Sequence, residues 1–337
     1  MTSLSDKAEN ALNETRTLIL GAQVLVGFSF QAGFQPGFTR LPLAAQELEI
    51  LGLGLMLVAV GLLIAPSSFH QIVAGGHDTP GVIAYTGRIA ALALLPFAIG
   101  IGLDAYIAGL VVVGGGAAAV GLGVAGTAFA LFFWYGLDWA WRLRDGPRQD
   151  VMTDQPEPEA TPLETRIKQV LMEARVVLPG AQALLGFQLA AMLTDAFAQL
   201  PRASQYVHLA SLGLLAVTIV LLMAPTAFHR IVERGEDTER LHRFSTAMVL
   251  AALVPLGLGL SSDFYVVANK VLQAPGLALA LAAVSLVFFY GLWFGVTLAV
   301  RARGASRHGV ASGPRRARGR GTLPDLEPEA RVSRAAR

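Results

Sequence analysis

Eight long apolar segments lie between residues 17 and 300, and they restrict the chain to very few folds. Each is about as long as the ~20 residues that a helix needs to cross the hydrocarbon core of a bilayer. Only 15% of the residues are charged and the mean hydropathy is +0.54, which is typical of a chain that lies mostly in lipid. The segments lie at 17–35, 48–69, 82–106, 117–141, 176–197, 207–228, 244–267 and 276–300. Because a backbone in lipid must bond to itself and no alternating strand pattern is visible, they predict an all-α integral membrane protein with eight transmembrane helices.

The chain also contains an internal duplication. A shift of 159 residues aligns 14–107 with 173–266 without a gap, and 35 of these 94 positions are identical. The fourth segment needs a shift of 155, which matches FFWYGL at 132–137 with VFFYGL at 287–292. Such self-similarity indicates a repeated structural unit. Since each copy has an even number of spans, we predict two parallel four-helix repeats, related by a pseudo-two-fold axis along the membrane normal.

The segments between and after the copies differ in composition from the spans. Residues 145–162 are Pro-rich and acidic, and residues 304–337 are rich in Arg, Gly and Pro. Neither can bury enough apolar surface to fold. The predicted organisation is therefore a first four-helix repeat at 1–144, a flexible cytoplasmic linker at 145–162, a second four-helix repeat at 163–303 and a disordered basic cytoplasmic tail at 304–337.

The positions of Lys and Arg predict the orientation. With a cytoplasmic N-terminus, every basic residue except Arg40, Arg202 and Lys270 falls on the cytoplasmic side. This asymmetry places both termini in the cytoplasm, in a multi-pass protein of the bacterial inner membrane. The run RRARGR at 315–320 could contact anionic lipid, although it could also serve orientation alone. Nucleic acid is not an expected partner.

The repeated residues resemble a known family. In chain order they are E-x-R at 14–16 and 173–175, G-x-Q at 21–23 and 180–182, a loop Phe and Gln, and A-P-x-x-x-H at 65–70 and 224–229. This order resembles an uncharacterised bacterial four-helix membrane family, domain of unknown function 6328, over both copies. Members of that family resemble one copy, so the tandem duplicate departs from the usual pattern. The resemblance implies the architecture and brings no activity, ligand or catalytic residue with it.

The repeated histidines end the APxxFH motif. His70 and His229 lie four residues after Pro66 and Pro225, at the cytoplasmic ends of the second and sixth spans. A proline bends a helix end by freeing a carbonyl, and a histidine there interacts favourably with the helix dipole. We therefore expect a structural role. Haem or metal ligation and pH sensing are the alternatives.

The first span of each copy carries two patterned faces. In the first copy, one face carries Arg16, Gln23 and Gly27, and the nearly opposite face carries Glu14, Gly21 and Phe28. In the second copy, Arg175 and Gln182 repeat the first face, and Glu173 repeats the second. A helix patterned on both sides is expected to pack on both, with Gln23 bonding across helices. Glu14, Arg16, His70 and Asp78 reach one cytoplasmic layer, where they predict an ion-pair network; a cytoplasmic gate or ligand site is the alternative. Asp237 repeats Asp78.

Two further repeated pairs lie in the third and seventh spans. Asp104 and Asp263 lie near the outer ends and are expected to be hydrated beside an interfacial tyrosine, with an ion-attracting vestibule as the alternative. Pro96 and Pro255 lie mid-span and predict kinks, although broken helices can also line a substrate path. No repeated ionisable residue falls at the bilayer midplane, which weakens the case for active transport.

No enzyme motif is found in the sequence. HExxH, a P-loop and GxSxG are absent, and the absence of cysteine excludes thiolate catalysis and iron–sulfur ligation. We expect a non-enzymatic integral membrane protein without a cofactor, which acts through packing and through partners: the bilayer, a second copy or another membrane protein. A passive channel or facilitative transporter between the two halves is the alternative. A membrane enzyme or haem protein is a third, weaker one.

Overall fold

The computed structural model describes residues 4–114, 116–136 and 161–303, with side chains from Thr15 onward except at Arg16. Every element in these residues is helical. The long helices are α1 (Leu4–Ala32), α2 (Leu43–Ile72), α3 (Pro80–Val113), α4 (Ala117–Leu131), α5 (Leu163–Met192), α6 (Arg202–Ile231), α7 (Glu239–Leu272) and α8 (Pro275–Tyr290). A π-helical turn follows α4 at Phe132–Gly136 and α8 at Gly291–Val296, and short helices lie at Phe38–Arg40 and Asp195–Ala198. The predicted tail at 304–337, and the predicted linker up to residue 160, lie outside the described residues.

The helix bounds repeat with the sequence. α6 and α7 begin and end 159 residues after α2 and α3 (202 − 43 = 159 and 239 − 80 = 159). Thr79 and Thr238 cap the N-termini of α3 and α7, because each hydroxyl accepts a backbone N–H three residues on. Gly76 and Gly235, both with positive φ, donate their N–H groups to the carbonyl of the motif histidine and close the ends of α2 and α6. Local sequence signals therefore set the same element ends in both copies.

Among the described residues, seven helices are long and apolar enough to cross a membrane. The eighth apolar segment, in α1, is shorter at Thr17–Ala32, because the first turns of that helix are polar and charged. Seven of the eight helices start before or extend beyond their predicted segments, since polar residues flank the apolar cores; α4 starts at Ala117, where its segment was predicted to start. The predicted helical fold with several long apolar helices is confirmed, and it is consistent with a multi-pass membrane protein. The span by α1 stays a prediction.

α1 and α5 lie side by side and run in the same direction. Their contacts follow chain order, with Gln23 against Gly180 and Gly27 against Phe187. α2 and α7 pack on this pair and on each other, and α2 also packs on α8. The buried core therefore includes helices of both copies, whereas α3, α4, α6 and α8 keep much of their surface uncovered.

Each central helix packs only one of its two patterned faces. In α1, Gln23 and Gly27 are buried against α5, but the equivalent Gln182 and Gly186 of α5 are exposed. α5 instead packs the opposite face, which includes Gly180, on α1. The prediction that both faces are packed in each copy is therefore wrong. The reason is that α1 and α5 meet through unlike faces, which leaves one face of each helix uncovered.

Candidate functional site

A buried histidine–carboxylate contact joins the two copies where α2 ends. His70 Nδ1 on α2 lies 2.7 Å from Glu173 Oε1 on α5, and the His70 side chain is 0% exposed. The Ser67 hydroxyl and the Gln71 amide donate to the other oxygen, Glu173 Oε2, at 3.0 Å and 2.9 Å. Both carboxylate oxygens thus have partners, as a buried carboxylate requires.

Helical spacing within and just after the APxxFH motif sets this arrangement. Ser67, His70 and Gln71 lie at i, i+3 and i+4, so they share one face of α2. Thr246 on α7 donates to Gln71 Oε1 at 2.9 Å, which brings a third helix into the network. The second ring nitrogen of His70, Nε2, is buried and has no hydrogen-bond partner among the described residues.

A second buried carboxylate lies in the loop after α2. Asp78 accepts both hydrogen bonds of the Gln169 amide on α5, at 2.8 Å and 3.0 Å, and its backbone N–H donates to the Thr161 hydroxyl at 2.9 Å. The inner cluster, as we name it, therefore consists of Ser67, His70, Gln71, Asp78, Gln169 and Glu173. It links α2 and the α2–α3 loop of the first copy to α5 of the second.

Arg166 lies beside the inner cluster at the start of α5. Its guanidinium donates to the Gly75 carbonyl at 2.9 Å, and it lies 3.5 Å from His242 Nδ1 and 3.9 Å from a Glu239 oxygen on α7. Burial and this guanidinium lower the pKa of His77 in the same loop. Arg166 therefore ties the first turn of α5 to both the α2–α3 loop and α7.

The same motif in the second copy has a different environment. His229 is 27% exposed, and its Nε2 lies 3.7 Å from Asp237 Oδ1 in its own copy. Arg175 is exposed. The side chains of Glu14 and Arg16, which the predicted network included, lie outside the described ones. The structure thus brings together His70, Asp78 and Glu173 of the predicted residues, and the partners come from the other copy.

A second polar group, the outer cluster, lies toward the other end of the bundle and consists of Gln188, His208, Ser211 and Asp263. All four side chains are buried. The Gln188 amide donates to the Ser211 hydroxyl at 3.0 Å and to the Asp263 carboxylate, and Ser211 donates to the Gly259 carbonyl at 2.9 Å. This cluster joins α5, α6 and α7 within the second copy.

His208 lies between a backbone carbonyl and the Asp263 carboxylate. Its Nε2 lies 3.2 Å from the Gln188 carbonyl oxygen, which can only accept, so Nε2 carries a hydrogen. Nδ1 then faces Asp263 Oδ1 at 3.4 Å, and both atoms are acceptors unless one of them is protonated. The ring also stacks on Phe30 with a centroid distance of 5.6 Å. His208 therefore contacts α5, α7 and α1 from its position on α6.

The sequence-based prediction for Asp263 is wrong in one respect. We expected a hydrated aspartate, but Asp263 is 6% exposed because α7 continues past it to Leu272 and α5 and α6 cover it. In the first copy, the equivalents of His208 and Asp263 are Glu49, which is buried, and Asp104, which is only partly so. The outer cluster is therefore specific to the second copy.

Two small cavities lie next to the clusters. One is bounded by α1, α2, α5 and α7 and includes Gln188 and Asp263 in an otherwise apolar wall. The other lies between α1, α2 and α5 and includes Gln169 and Glu173. Each has room for about one water molecule. Between the clusters, α5 buries apolar side chains such as Leu184.

The remaining predicted positions lie outside the two clusters. Gln23 is 0% exposed and neither of its amide atoms has a hydrogen-bond partner among the described residues, so the expectation that it bonds across helices is wrong. Its equivalent Gln182 is exposed and lines neither cavity. The four motif and mid-span prolines are buried within continuous helices: Pro66, Pro96, Pro225 and Pro255.

Sequence reasoning missed most of the hydrogen-bonding partners. They are Gln71, Gln169, Gln188, His208 and Ser211, and none is repeated in the other copy. A search for repeated residues could not find them. The available signal was a polar side chain inside an apolar span, which applies to Gln188 and His208.

Comparison with known proteins gives one match. A family model with the description "Family of unknown function (DUF6328)" matches residues 4–138 and again residues 156–297. No curated protein and no solved structure matches the chain. The two matched ranges correspond to the two copies of the internal repeat.

Proposed function

The chain belongs to this family of unknown function and carries the family's unit twice, and from this premise we propose that it is a non-enzymatic integral membrane protein that acts through helix packing and partners in the bilayer. It needs no cofactor in this proposal. One observation carries it: His70 and Glu173 bind one copy to the other through a buried, fully hydrogen-bonded carboxylate. Such a pair holds a specific arrangement of helices, because separating it would leave a charge without a partner in lipid.

The proposed architecture is eight spans in two parallel halves, with α1 as the eighth span. The common direction of α1 and α5 supports parallel halves, and the contact between the equivalent rings of Phe28 and Phe187, at 4.5 Å, supports an axis close to both. The distribution of Lys and Arg supports cytoplasmic termini in a bacterial inner membrane. A reporter fused after Asp150 should therefore be active only in the cytoplasm; periplasmic activity there would contradict this topology.

The chain has exposed apolar surface on which a membrane protein partner could bind. Large hydrophobic side chains are exposed on α4 and α8, for example Val124 at 63% and Val287 at 72%. Such surface faces lipid or another membrane protein. A photoreactive amino acid at each of these positions should give discrete protein adducts in native membranes, and the same residue at the buried Ala59 should give none. If the adducts at Val124 and Val287 contain only lipid, the partner-based function is wrong.

A passive channel or facilitative transporter is the second candidate. The observation that favours it is the pair of cavities beside polar clusters at the two ends of the central helices. The buried apolar side chains of α5 between the clusters favour the packing proposal instead. Proteoliposomes with the purified chain should show the same permeability to ions and small polar solutes as empty liposomes. A solute flux that depends on the protein would support the second candidate.

A further inference from the structure

The uncovered faces of α1 and α5 are sequence copies of the faces that pack against each other inside the molecule. Each of the two helices has a face A and a face B, defined by equivalent residues of the repeat. Face A consists of Arg16, Gln23 and Gly27 on α1 and of Arg175, Gln182 and Gly186 on α5. Face B consists of Glu14, Gly21 and Phe28 on α1 and of Glu173, Gly180 and Phe187 on α5. Within the chain, Gln23 and Gly27 of face A on α1 pack on Gly180 and Phe187 of face B on α5. The other two faces are left over, with Gly21 and Phe28 on α1 and with Arg175, Gln182 and Gly186 on α5.

The internal contact is a close fit of side chains over glycines. A Cβ at Gly180 would lie 1.6 Å from Gln23 Oε1 and 2.6 Å from Gln23 Cβ. A Cβ at Gly27 would lie 2.1 Å from the Phe187 ring. Gln23 therefore fills the space over Gly180, and Phe187 fills the space over Gly27. Such close helix approach through glycine is a main source of association in lipid.

The leftover faces carry the equivalents of these four residues: Gly21 and Phe28 on α1, and Gln182 and Gly186 on α5. A Cβ at Gly21 or at Gly186 would meet nothing within 4 Å. Gln182 is exposed, and Phe28 is 54% exposed although it touches Phe187. An exposed glutamine inside an apolar span is unfavourable in lipid, which offers its amide no hydrogen-bond partner.

We propose that a second copy of this chain docks on these faces, with Gln182 of one molecule over Gly21 of the next and Phe28 over Gly186. This inference rests on the proposed function and identifies the partner in it as a second copy of the chain. Because face A of one molecule meets face B of the next, the contact is heterologous. Repetition of this contact joins molecules through their central helices into a closed ring or an open row. α1 and α5 of successive molecules then repeat the contact seen within one chain.

Cysteine crosslinking tests the contact directly, because the chain has no cysteine of its own. Two differently tagged full-length chains, one with Gly21→Cys and one with Gln182→Cys, are co-expressed and oxidised in native membranes. We expect a mixed disulfide dimer, and none when Gln182→Cys is replaced by Val220→Cys on α6, which is 66% exposed. Both test positions have open space, so neither substitution should disturb the fold. The absence of the mixed dimer, or an equal yield with Val220→Cys, would overturn the inference.

Two further measurements separate this inference from the proposed function. The mass of the wild-type chain in nanodiscs should correspond to two or more copies, and Gly21→Trp, which fills the leftover space, should reduce it to one. A single wild-type copy overturns the inference. A photoreactive residue at position 182 should label only this chain. Labelling of a different protein there overturns the inference and leaves partner-based function standing, and labelling of lipid alone overturns the inference.

Discussion

His70 Nδ1 and Glu173 Oε1 lie 2.7 Å apart, although 103 positions separate the two residues in the sequence. Neither side chain pairs with a residue of its own copy in this contact. Ser67 and Gln71 add two further donors from α2 to the same carboxylate. The second helix of the first copy is therefore bound to the first helix of the second copy, and the duplication produces one packed unit instead of two independent ones.

Substitution of the two repeated histidines should have unequal effects. His70→Ala leaves Glu173 buried without its histidine partner, and removal of one member of a buried pair costs about 3–5 kcal/mol of unfolding free energy. His229→Ala is the matched control, since its pair with Asp237 is long and partly exposed and should contribute about 1 kcal/mol or less. Thermal unfolding in the same detergent measures both. Equal shifts in Tm would show that His70 does not stabilise the contact between the copies.

Substitution of the equivalent glycines Gly21 and Gly180 should also have unequal effects on stability. Gly180→Ala places a methyl group against the Cβ and amide of Gln23, and we expect a loss of about 1–3 kcal/mol from overpacking. Gly21→Ala meets no atom within 4 Å in the single chain, so the Tm of the monomeric protein should stay the same or rise slightly. Gln23→Ala should not rescue Gly180→Ala, because the Gln23 Cβ contact remains. A neutral Gly180→Ala would contradict the close α1–α5 contact.

Trp293 should stabilise the contact between α2 and the end of the second copy. Its side chain is fully buried, and Nε1 donates to the Gly61 carbonyl on α2 at 2.9 Å. Trp293→Phe removes this bond and part of the packing, with an expected cost of about 1–3 kcal/mol. Trp134→Phe is the control, because Trp134 stacks on Phe97 within the first copy and is only partly buried. Chemical unfolding followed by circular dichroism should show the larger loss for Trp293→Phe.

The outer cluster should show a strong coupling between its two titratable members. His208→Phe keeps an aromatic ring beside Phe30 but leaves the buried Asp263 without its histidine partner, so the Tm should fall. The double variant His208→Phe with Asp263→Leu removes both polar groups and should recover most of the loss. Gln188 keeps its hydrogen bond to Ser211 in either case. A double variant that is less stable than the single one would contradict a mainly pairwise interaction.

Much of the fold follows from local sequence. The apolar segments, the caps at Thr79 and Thr238 and the glycines that end α2 and α6 depend on a few neighbouring residues, so they could be recognised in both copies. The APxxFH motif likewise sets His70 and its neighbours on one helix face. Sequence could not identify the unrepeated partners Gln169, Gln188 and His208, since nothing in the linear pattern shows which polar side chains meet.

The sequence by itself determined that this protein is helical, apolar and duplicated, because helix period, hydropathy and repeat spacing are properties of the chain. Only the tertiary structure decided which of two equivalent faces each central helix packs, and thereby why His70 is buried and His229 is not. The physical reason is that α1 and α5 meet through unlike faces. Two copies of one sequence therefore have different neighbours, and side chains with the same local pattern differ in burial and hydrogen bonding.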